Sequence, residues 1–328
     1  MQKILIVTDG KAGHENQSKA LAEALGFRYD LIAVCYPIRL CKALSYAADA
    51  VGILTEKLFS SGTISDKYAA VICTGSTAFY PGKVIARKNK IPVAAILFPS
   101  GYRLNFDCII APAFDNPPTS NNIIEIPVNL TATNADFYEK GRTEFCKRHP
   151  QKKRSVAVIV GGPNSIATMT ADEMKIHLDR VFDATAGFER WITTSRRTPT
   201  EVEHLIDSYP FDYKLIYSRD QFNPIPAFVS LCERLFVTAD STGMISEAVT
   251  RGKAHVEILM NLSDPQSKFA RLIEGLVQDG SAHVFEGAVA DANIKVSLDS
   301  AVAKARELLG LKLKTDCCSA YIARDHRR

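Results

Sequence analysis

Long apolar runs are absent from this 328-residue sequence, and none approaches the roughly 20 residues that a membrane-spanning helix needs. The first apolar run is short and ends in a charged turn that contains glycine, so we expect no signal peptide. The eight cysteines form no C-x-x-C pair and no cluster with zinc spacing, which is typical of thiols in a reducing cytoplasm.

Motifs for metals and dinucleotides are also missing. There is no H-E-x-x-H, no EF-hand loop, no D-x-D run and no G-x-G-x-x-G. We therefore expect neither a bound metal nor a cofactor. The net charge of +4 is too small to indicate nucleic acid, although it suits an anionic small ligand or a membrane surface.

What the sequence does contain is a series of short apolar runs, such as "KILIVTDG" (3–10), "AAVICTGS" (69–76) and "SVAVIVGG" (155–162). The runs are continuous rather than alternating, which indicates strands buried on both faces of a parallel sheet. Helical patterns lie between them, so the sequence predicts doubly wound α/β layers.

The length favours two domains, and the series restarts after the basic segment "CKRHPQKKRS" (146–155). We interpret this segment as the interdomain linker; a surface loop inside one domain is the alternative. The prediction is a domain over 1–148, a second over 149–310 and a loosely held tail over 311–328, with a cleft between the domains.

Ligands of open parallel sheets bind at the carboxyl ends of the strands. The first strand ends in "DGKAGHENQS", where Gly10 and Gly13 permit a tight turn and Asn16 is a candidate helix cap. His14 lies at the apex, where it contacts substrate or shuttles a proton, unless it is an ordinary exposed histidine.

A second strand ends in "GGPN", which places Gly161, Gly162 and Asn164 in a turn. Outward-pointing N–H groups in such a turn form an anion-binding nest, particularly before a helix. A tight glycine turn without a ligand is the alternative.

A third strand ends in "TTSRRTP", which includes Ser195. Thr198 and Pro199 suit a helix start, but Arg196 and Arg197 lie where the helix dipole disfavours cations. A bound phosphate would resolve this conflict, whereas plain surface arginines would not need one.

A fourth strand ends in "VTADSTGMISEA", where Ser241, Thr242 and Gly243 form another nest at a helix start. The carboxylate of Glu247 accepts two hydrogen bonds, which suits the diol of a ribose, although helix capping also explains a carboxylate there. Together these strand ends predict a diphosphate site in which arginines and helix ends supply the positive charge.

Residues 38–60 show an amphipathic helical pattern flanked by Lys42 and Lys57. Its apolar positions are Leu40, Ala43, Leu44, Ala47, Val51 and Leu54. One interpretation packs this stripe on the N-terminal sheet. The other makes it a membrane-facing patch for a lipid-linked acceptor.

Four segments in this order, "KAGHENQS", "GGPN", "TTSRRTP" and "VTADSTGMISEA", resemble the mitochondrial fission (elongated-mitochondria) protein family over about residues 1 to 310. That family is similar to GT-B glycosyltransferases, such as the enzyme that adds N-acetylglucosamine to lipid-linked muramyl-pentapeptide. The resemblance implies an α/β, GT-B-like fold of two Rossmann-like, doubly wound parallel-sheet domains facing a cleft.

The resemblance also implies roles for single residues. Glu247 would bind the ribose, Gly162 and the segment 241–243 the diphosphate, and His14 the acceptor or the sugar, with Gly13 and Asn16 beside it. The family often has Gly-Arg-Arg after the second strand and His-Asp further on. Here Lys83 is the one cation near the first position, and Phe114-Asp115 occupies the second.

The leading hypothesis is therefore a metal-independent glycosyltransferase that uses a nucleotide-sugar and a cell-envelope acceptor. His14 and Asp115 are its candidate general bases. A non-enzymatic adaptor on the same scaffold and a nucleotide-sugar epimerase are the alternatives. We expect a cytoplasmic protein that either stays free or touches the inner membrane peripherally, with no nucleic-acid partner.

Overall fold

The apolar runs of the N-terminal half form one sheet in the computed structural model, which describes residues 3–64, 66–132 and 135–312. Its strands are Lys3–Thr8 (β1), Arg28–Cys35 (β2), Ser60–Ser61 (β3), Tyr68–Thr74 (β4), Val93–Ile96 (β5), Cys108–Pro112 (β6) and Ile123–Ile126 (β7). They lie in the order β3-β2-β1-β4-β5-β6-β7, and every neighbouring pair is parallel except the short β3 beside β2.

Helices cover both faces of this sheet. Three of them follow strands of the sheet: Ala12–Ala24 (α1), Arg39–Ala50 (α2) and Phe79–Asn89 (α3). Alternate residues of β1 enter different cores, with Leu5 and Val7 on one face and Ile4 and Ile6 on the other. Burial on both faces is the reason why the run is continuously apolar.

The second half repeats the plan. Its strands are Ser155–Ile159 (β8), Glu189–Thr193 (β9), Tyr213–Leu215 (β10), Arg234–Thr238 (β11), His255–Leu259 (β12) and His283–Val284 (β13), all parallel, in the order β10-β9-β8-β11-β12-β13. Its helices are Ala135–Arg148 (α4), Ala171–Ala184 (α5), Thr200–Ser208 (α6), Ile225–Leu231 (α7), Thr242–Thr250 (α8), Lys268–Gln278 (α9) and Asp299–Leu308 (α10).

In each sheet the strand order reverses direction at one point, between β1 and β4 in the first and between β8 and β11 in the second. A crevice opens at such a switch point, beyond the carboxyl ends of the strands. The segments that follow β1, β8 and β11 are three of the four that the sequence singled out, and the fourth follows β9. The predicted α/β class with two Rossmann-like parallel sheets is thus confirmed.

Two helices pack in a different domain from the one that the predicted boundaries at 148/149 and 310 assign to them. Helix α4 precedes the predicted boundary, yet Phe145 packs against Trp191 of the second sheet at 4.8 Å between ring centroids. Helix α10 comes from the C-terminal part, yet Ala301 and Ala305 pack in the first core beside Ile126. The chain therefore crosses between the domains twice, after β7 and before α10. Residues 313–328, most of the predicted tail, lie outside the described residues.

The amphipathic segment forms an α-helix over α2 and a short 3₁₀ helix over Glu56–Leu58, and its apolar stripe faces outward. Leu40 is 60% exposed and Val51 is 72% exposed. The inward positions are polar: Ser45 and Asp49 are buried. The helix does pack on the first domain, with Ser45 and Asp49 buried and Tyr46 and Ala48 against the core, but the apolar stripe is not its packing face. Within the described ranges, no helix is both long and apolar enough to cross a membrane.

Candidate active site in the interdomain cleft

A cavity of about 870 Å³ lies between the carboxyl edges of the two sheets. Of the residues predicted from the sequence, it is lined by Gly13, His14, Asn16, Ser241, Thr242, Gly243 and Glu247. Residues of both domains thus meet at one site. The other predicted residues of the second domain do not line this cavity: Gly161, Gly162, Asn164, Ser195, Arg196 and Arg197. Three aromatic side chains, Phe114, Phe137 and Phe269, also line the cleft.

His14 lies in the first turn of α1, which begins at Ala12, so Asn16 is inside the helix and does not cap it. The Nδ1 atom of His14 is 3.0 Å from Oδ1 of Asp9 at the end of β1. Burial alone would raise the pKa of Asp9, but the facing His14 and the Lys11 backbone lower it below its usual value. An ionised Asp9 holds a proton on Nδ1 and leaves Nε2 as the basic nitrogen.

Gly75, which follows β4, makes room for this ring. A Cβ atom at Gly75 would lie 2.3 Å from Cε1 of His14, and the φ angle of Gly75 is +85°. Only glycine accepts both the conformation and the contact without strain. Asp9 and Gly75 were not among the predicted site residues, although both stand at the ends of predicted strands.

The first turn of α8 faces the cleft from the other domain. The Ser241 side chain caps it by accepting a hydrogen bond from Met244 N. The Asn129 amide donates to Thr242 Oγ1 at 2.8 Å, and its backbone N–H donates to Ser246 Oγ at 3.1 Å. The connector after β7 is therefore fastened to the helix start, an arrangement that no local pattern around Asn129 indicates.

Glu247 lies one turn further along α8, and Tyr138 OH donates to its Oε1 at 3.1 Å. Burial raises the pKa of Glu247, and the Tyr138 hydrogen bond and the Arg251 charge oppose this shift. The second carboxylate oxygen of Glu247 has no hydrogen bond to described residues, so it can accept one from a ligand.

The "GGPN" turn is organised by a residue that the sequence analysis did not single out, Asp240. Its buried carboxylate accepts hydrogen bonds from Gly162 N at 2.8 Å and from Arg197 Nη2 at 3.0 Å. Gly161 N donates to Thr238 Oγ1. Both glycine N–H groups are thus used inside the protein, and the prediction that they form an open anion nest is wrong.

Close packing explains the glycines instead. A Cβ atom at Gly161 would lie 2.0 Å from Asp240 Oδ2, and one at Gly162 would lie 2.2 Å from the Arg197 carbonyl oxygen. Asn164 Nδ2 donates to the Asp240 carbonyl, and Ser195 Oγ donates to the Gly161 carbonyl. These contacts lock three strand ends together.

The two predicted arginines differ in their contacts. Arg197 donates to the carbonyls of Gly162 and Pro163 as well as to Asp240, so its guanidinium is engaged. Arg196 is exposed and makes no hydrogen bond or ion pair with the described residues. Thr198 does not cap the next helix, whose N-cap is Pro199. Arg196 is thus the available cation of this loop.

Lys83, predicted on the acceptor side, is buried in the first domain. Its ammonium group donates to both carboxylate oxygens of Asp49 at 2.9 and 2.8 Å, to the Arg103 carbonyl and to Asn105 Oδ1. Burial lowers the pKa of Lys83, and Asp49 opposes this shift. The prediction that Lys83 faces an acceptor is therefore wrong.

Asp115, the second predicted base, pairs across the domains with Lys268 at the start of α9, at 3.2 Å. Arg271 of the same helix donates to the Phe114 carbonyl. Asp115 is not among the residues that line the cavity, whereas Phe114 and Lys268 are. The position of Asp115 suits a contact between domains better than proton transfer.

No group of three or more His, Cys, Asp or Glu side chains that could hold a metal ion occurs in residues 3–64, 66–132 and 135–312. The positive charges in the cleft lining are those of Lys19 and Lys268, and the start of α8 adds backbone N–H donors.

Two Rossmann-like domains with their ligand-binding edges on a shared cleft define the GT-B fold, which nucleotide-sugar glycosyltransferases and UDP-GlcNAc 2-epimerases share. The chain belongs to the mitochondrial fission ELM1 family, whose model matches residues 12–310. The resemblance seen in the sequence is thus confirmed. An uncharacterized protein from Rickettsia prowazekii (strain Madrid E) is 25% identical over 87% of this chain and 91% of its own length.

Solved structures agree on the fold. The UDP-GlcNAc 2-epimerase from Neisseria meningitidis bound to UDP-GlcNAc has a TM-score of 0.51 and 13% identity, covering 94% of this chain and 98% of that one. The E. coli ADP-heptose lps heptosyltransferase II has a TM-score of 0.44 and 10% identity, with the same coverage of 94% and 98%. At these identities the similarity shows the fold alone, and that conclusion is based on the Neisseria meningitidis structure.

Proposed function

We propose that this protein is a nucleotide-sugar-dependent glycosyltransferase that needs no metal and transfers a sugar to a cell-envelope acceptor. One observation carries the proposal: the cleft places the Asp9-held His14 of one domain opposite the α8 start and Glu247 of the other. The fold is that of proteins whose structures contain UDP or UDP-GlcNAc. An adaptor role would not require this pairing of a base with a ligand-binding edge.

The donor would lie against the second domain. The N-terminus of α8 offers free N–H groups and a partial positive charge to a diphosphate. Arg196 is exposed on the loop after β9, outside the cavity lining, and would add a full charge to a donor that extends to this loop. Glu247 would accept a hydrogen bond from a ribose hydroxyl through the carboxylate oxygen that Tyr138 leaves open. A diphosphate linked to a ribose would therefore place its phosphates at the α8 start and its ribose at Glu247, one turn further along the helix.

The acceptor would enter from the first domain. Its hydroxyl oxygen attacks the anomeric carbon, the bond to the nucleotide diphosphate breaks, and the hydroxyl proton passes to Nε2 of His14. Asp9 stabilises the imidazolium that results, because its ionised carboxylate faces Nδ1 at 3.0 Å. The aromatic residues Phe114, Phe137 and Phe269 give the cleft an apolar wall.

Thermal stabilisation by a panel of UDP-, GDP-, ADP- and CMP-sugars tests donor binding. At 100 times the dissociation constant a donor adds about 2.7 kcal/mol to the free energy of unfolding. Glu247→Gln should lose most of this stabilisation. Glu203→Gln is the matched control, because Glu203 is a buried carboxylate that accepts from Ser218 outside the cleft. Stabilisation by none of the nucleotide-sugars would overturn the proposal.

His14→Gln separates transfer from binding. This variant should keep the donor-induced stabilisation and lose at least about a hundredfold in transfer, the size expected for a general base. Turnover of the donor without any acceptor, followed by NMR of the sugar, would identify an epimerase instead. Stoichiometric capture of a partner protein without donor binding would support the adaptor alternative.

The outward stripe of α2 supports a membrane-linked acceptor. Ile38, Leu40, Leu44, Val51 and Ile53, in and beside α2, are 45% to 72% exposed. Exposed apolar groups of this kind mark interaction surfaces when they are contiguous. Arg39 and Lys57 are exposed beside it. This combination suits the interface of an anionic bilayer.

Sedimentation with phosphatidylglycerol vesicles measures this contact. The double change Leu40→Ser and Leu44→Ser should release the protein into the supernatant. Ile176→Ser, an exposed apolar residue of α5 at 54% exposure, is the control and should not change binding. Equal binding by all three proteins would exclude the α2 stripe as the membrane contact.

A further inference from the structure

A second cavity, of about 640 Å³, lies behind the cleft where the chain crosses between the domains. Its walls are the ends of α1 and α8, the connector after β7 and the segment 295–306. Ala20, Leu130 and Thr131 line both cavities, so they form the partition between them. We call the second cavity the crossover groove.

Three cations line the crossover groove, and each donates hydrogen bonds to backbone carbonyls. Arg251 Nη2 donates to the Ala132 carbonyl at 2.6 Å. Lys295 Nζ donates to the carbonyls of Ala248 and Ala254 at 3.0 and 2.7 Å. Arg306 Nη2 donates to the last carbonyls of α1, at 3.3 and 3.1 Å.

These cations lack acidic partners. Among the described residues, no carboxylate lies within ion-pair distance of Arg251, Lys295 or Arg306. The one acidic residue in the lining, Asp299, is exposed, and Glu247 influences Arg251 only from the far side of the partition. The Nε atoms of Arg251 and Arg306 are buried without an acceptor in the described part of the chain.

Helix ends explain part of this arrangement, because carbonyls at a helix C-terminus attract cations. They account for Arg306 at the end of α1 and for one bond of Lys295 at the end of α8. They do not account for three positive charges around one cavity, with most of their N–H groups unused. Planar guanidinium groups beside an ammonium are the usual set that holds phosphate.

We propose that the crossover groove binds a small polyanion that carries phosphate groups, held jointly by Arg251, Lys295 and Arg306. Such a ligand would touch α1, which carries His14, and α8, which carries Glu247. It would also touch both chain crossings, so it would fix the orientation of one domain against the other. The groove is separate from the donor site, and this inference does not depend on the proposed function.

Lysine labelling reads the groove directly. Burial lowers the pKa of Lys295 to about 8, so its free amine reacts with limiting acetic anhydride at pH 8. Inorganic pyrophosphate should slow acetylation of Lys295 at least threefold, measured by mass spectrometry of the whole folded chain. Lys304, exposed on α10 beside Glu307, should label at an unchanged rate when chloride matches the ionic strength.

Three variants distinguish the groove from other sites. Arg306→Gln should raise the pyrophosphate concentration for half-protection roughly tenfold, the effect of losing one charge-assisted hydrogen bond. Asp299→Asn should lower it roughly twofold, because an exposed like charge is removed without touching the groove's bonds. Arg196→Gln, on the loop after β9 at the carboxyl edge of the second sheet, should leave it unchanged.

Two results would overturn the proposal. One is equal slowing of Lys295 and Lys304, which would show an effect of ionic strength alone. The other is a loss of Lys295 protection in Arg196→Gln with unchanged protection in Arg306→Gln. That result would place the anion near Arg196 rather than in the groove. If Lys295 labels too slowly to be followed, the rise in Tm caused by pyrophosphate is measured in the same variants instead. An identical rise in all of them would refute phosphate binding in the groove.

Discussion

Lys83 is either a cation that faces an acceptor or a buried partner of Asp49, and its replacement by methionine distinguishes these two roles. The sequence favours an acceptor-side cation, whereas the structure places Lys83 in the core with Asp49, their side chains 2% and 1% exposed. In Lys83→Met the carboxylate of Asp49 stays buried, with the Arg103 N–H at 2.7 Å as its remaining donor. The core then contains an uncompensated charge.

The expected loss is large for one residue. Removing one partner of a buried ion pair costs about 3 to 5 kcal/mol, because the other charge loses both water and its partner. Lys83 also lies 4.5 Å from the Phe106 ring centroid, a contact that methionine retains only in part. The double variant Lys83→Met with Asp49→Asn should be more stable than the single one, because no charge is left unpaired.

Hydrogen exchange during urea denaturation is the suitable assay, because it resolves the two domains. Peptides from β1 and β4 should lose protection at lower urea in Lys83→Met. The sole tryptophan, Trp191, is buried in the second domain, and its fluorescence should report a smaller change. Lys88→Met is the matched control on the same helix; its ion pair with Glu56 is exposed, so it should cost under about 1 kcal/mol.

The outcome that would refute this reasoning is a Lys83→Met protein as stable as the natural one to within about 1 kcal/mol, with sugar transfer selectively lost. That result would return Lys83 to the acceptor side of the cleft. A loss of stability in Lys88→Met equal to that in Lys83→Met would also contradict it, because burial would then not be the cause.

Two further predictions concern the cleft. Gly75→Ala should lower transfer at least about tenfold, because the new methyl group would collide with His14. Gly10→Ala is the control for backbone strain, because Gly10 has a φ of +79° but a Cβ atom there would meet nothing within 4 Å. Equal transfer rates in the two variants would contradict the explanation. Burial raises the pKa of Glu247, so its contribution to stability is present at low pH and is lost as the pH rises through the folded-state pKa. The stability of Glu247→Gln relative to the natural protein should therefore increase from pH 4.5 to pH 7 in urea titrations, and a difference that stays constant would refute the raised pKa.

The apolar runs predicted the strands well because a strand buried on both faces must be apolar at every position. The prediction that Ser241, Thr242 and Gly243 line a ligand cleft agrees with their place at the α8 start. These features are local, so the sequence shows them. The roles of these residues toward a ligand stay predictions.

What the sequence could not show depends on partners that are far apart along the chain. The "GGPN" sequence predicts an open anion nest. The structure differs because the Gly162 N–H donates to Asp240, nearly 80 residues later in the chain. The sequence alone leaves open whether the α2 stripe faces inward or outward. Buried partners on other elements decide it, because Ser45 contacts Tyr102 and Asp49 accepts from Lys83. In both cases a buried polar contact between distant residues decides what the local sequence pattern does, and such a contact is known only from the fold.

The second crossing of the chain has a consequence for synthesis in the cell. The face of the first sheet that carries Ile124 and Ile126 is covered by Ala301 and Ala305 of α10. Helix α1 covers the β1 and β4 part of this face, but during translation the β6 and β7 part stays uncovered while the entire second domain emerges from the ribosome. The first domain thus begins to fold first but completes its core last, and its exposed strands need protection from aggregation during that interval.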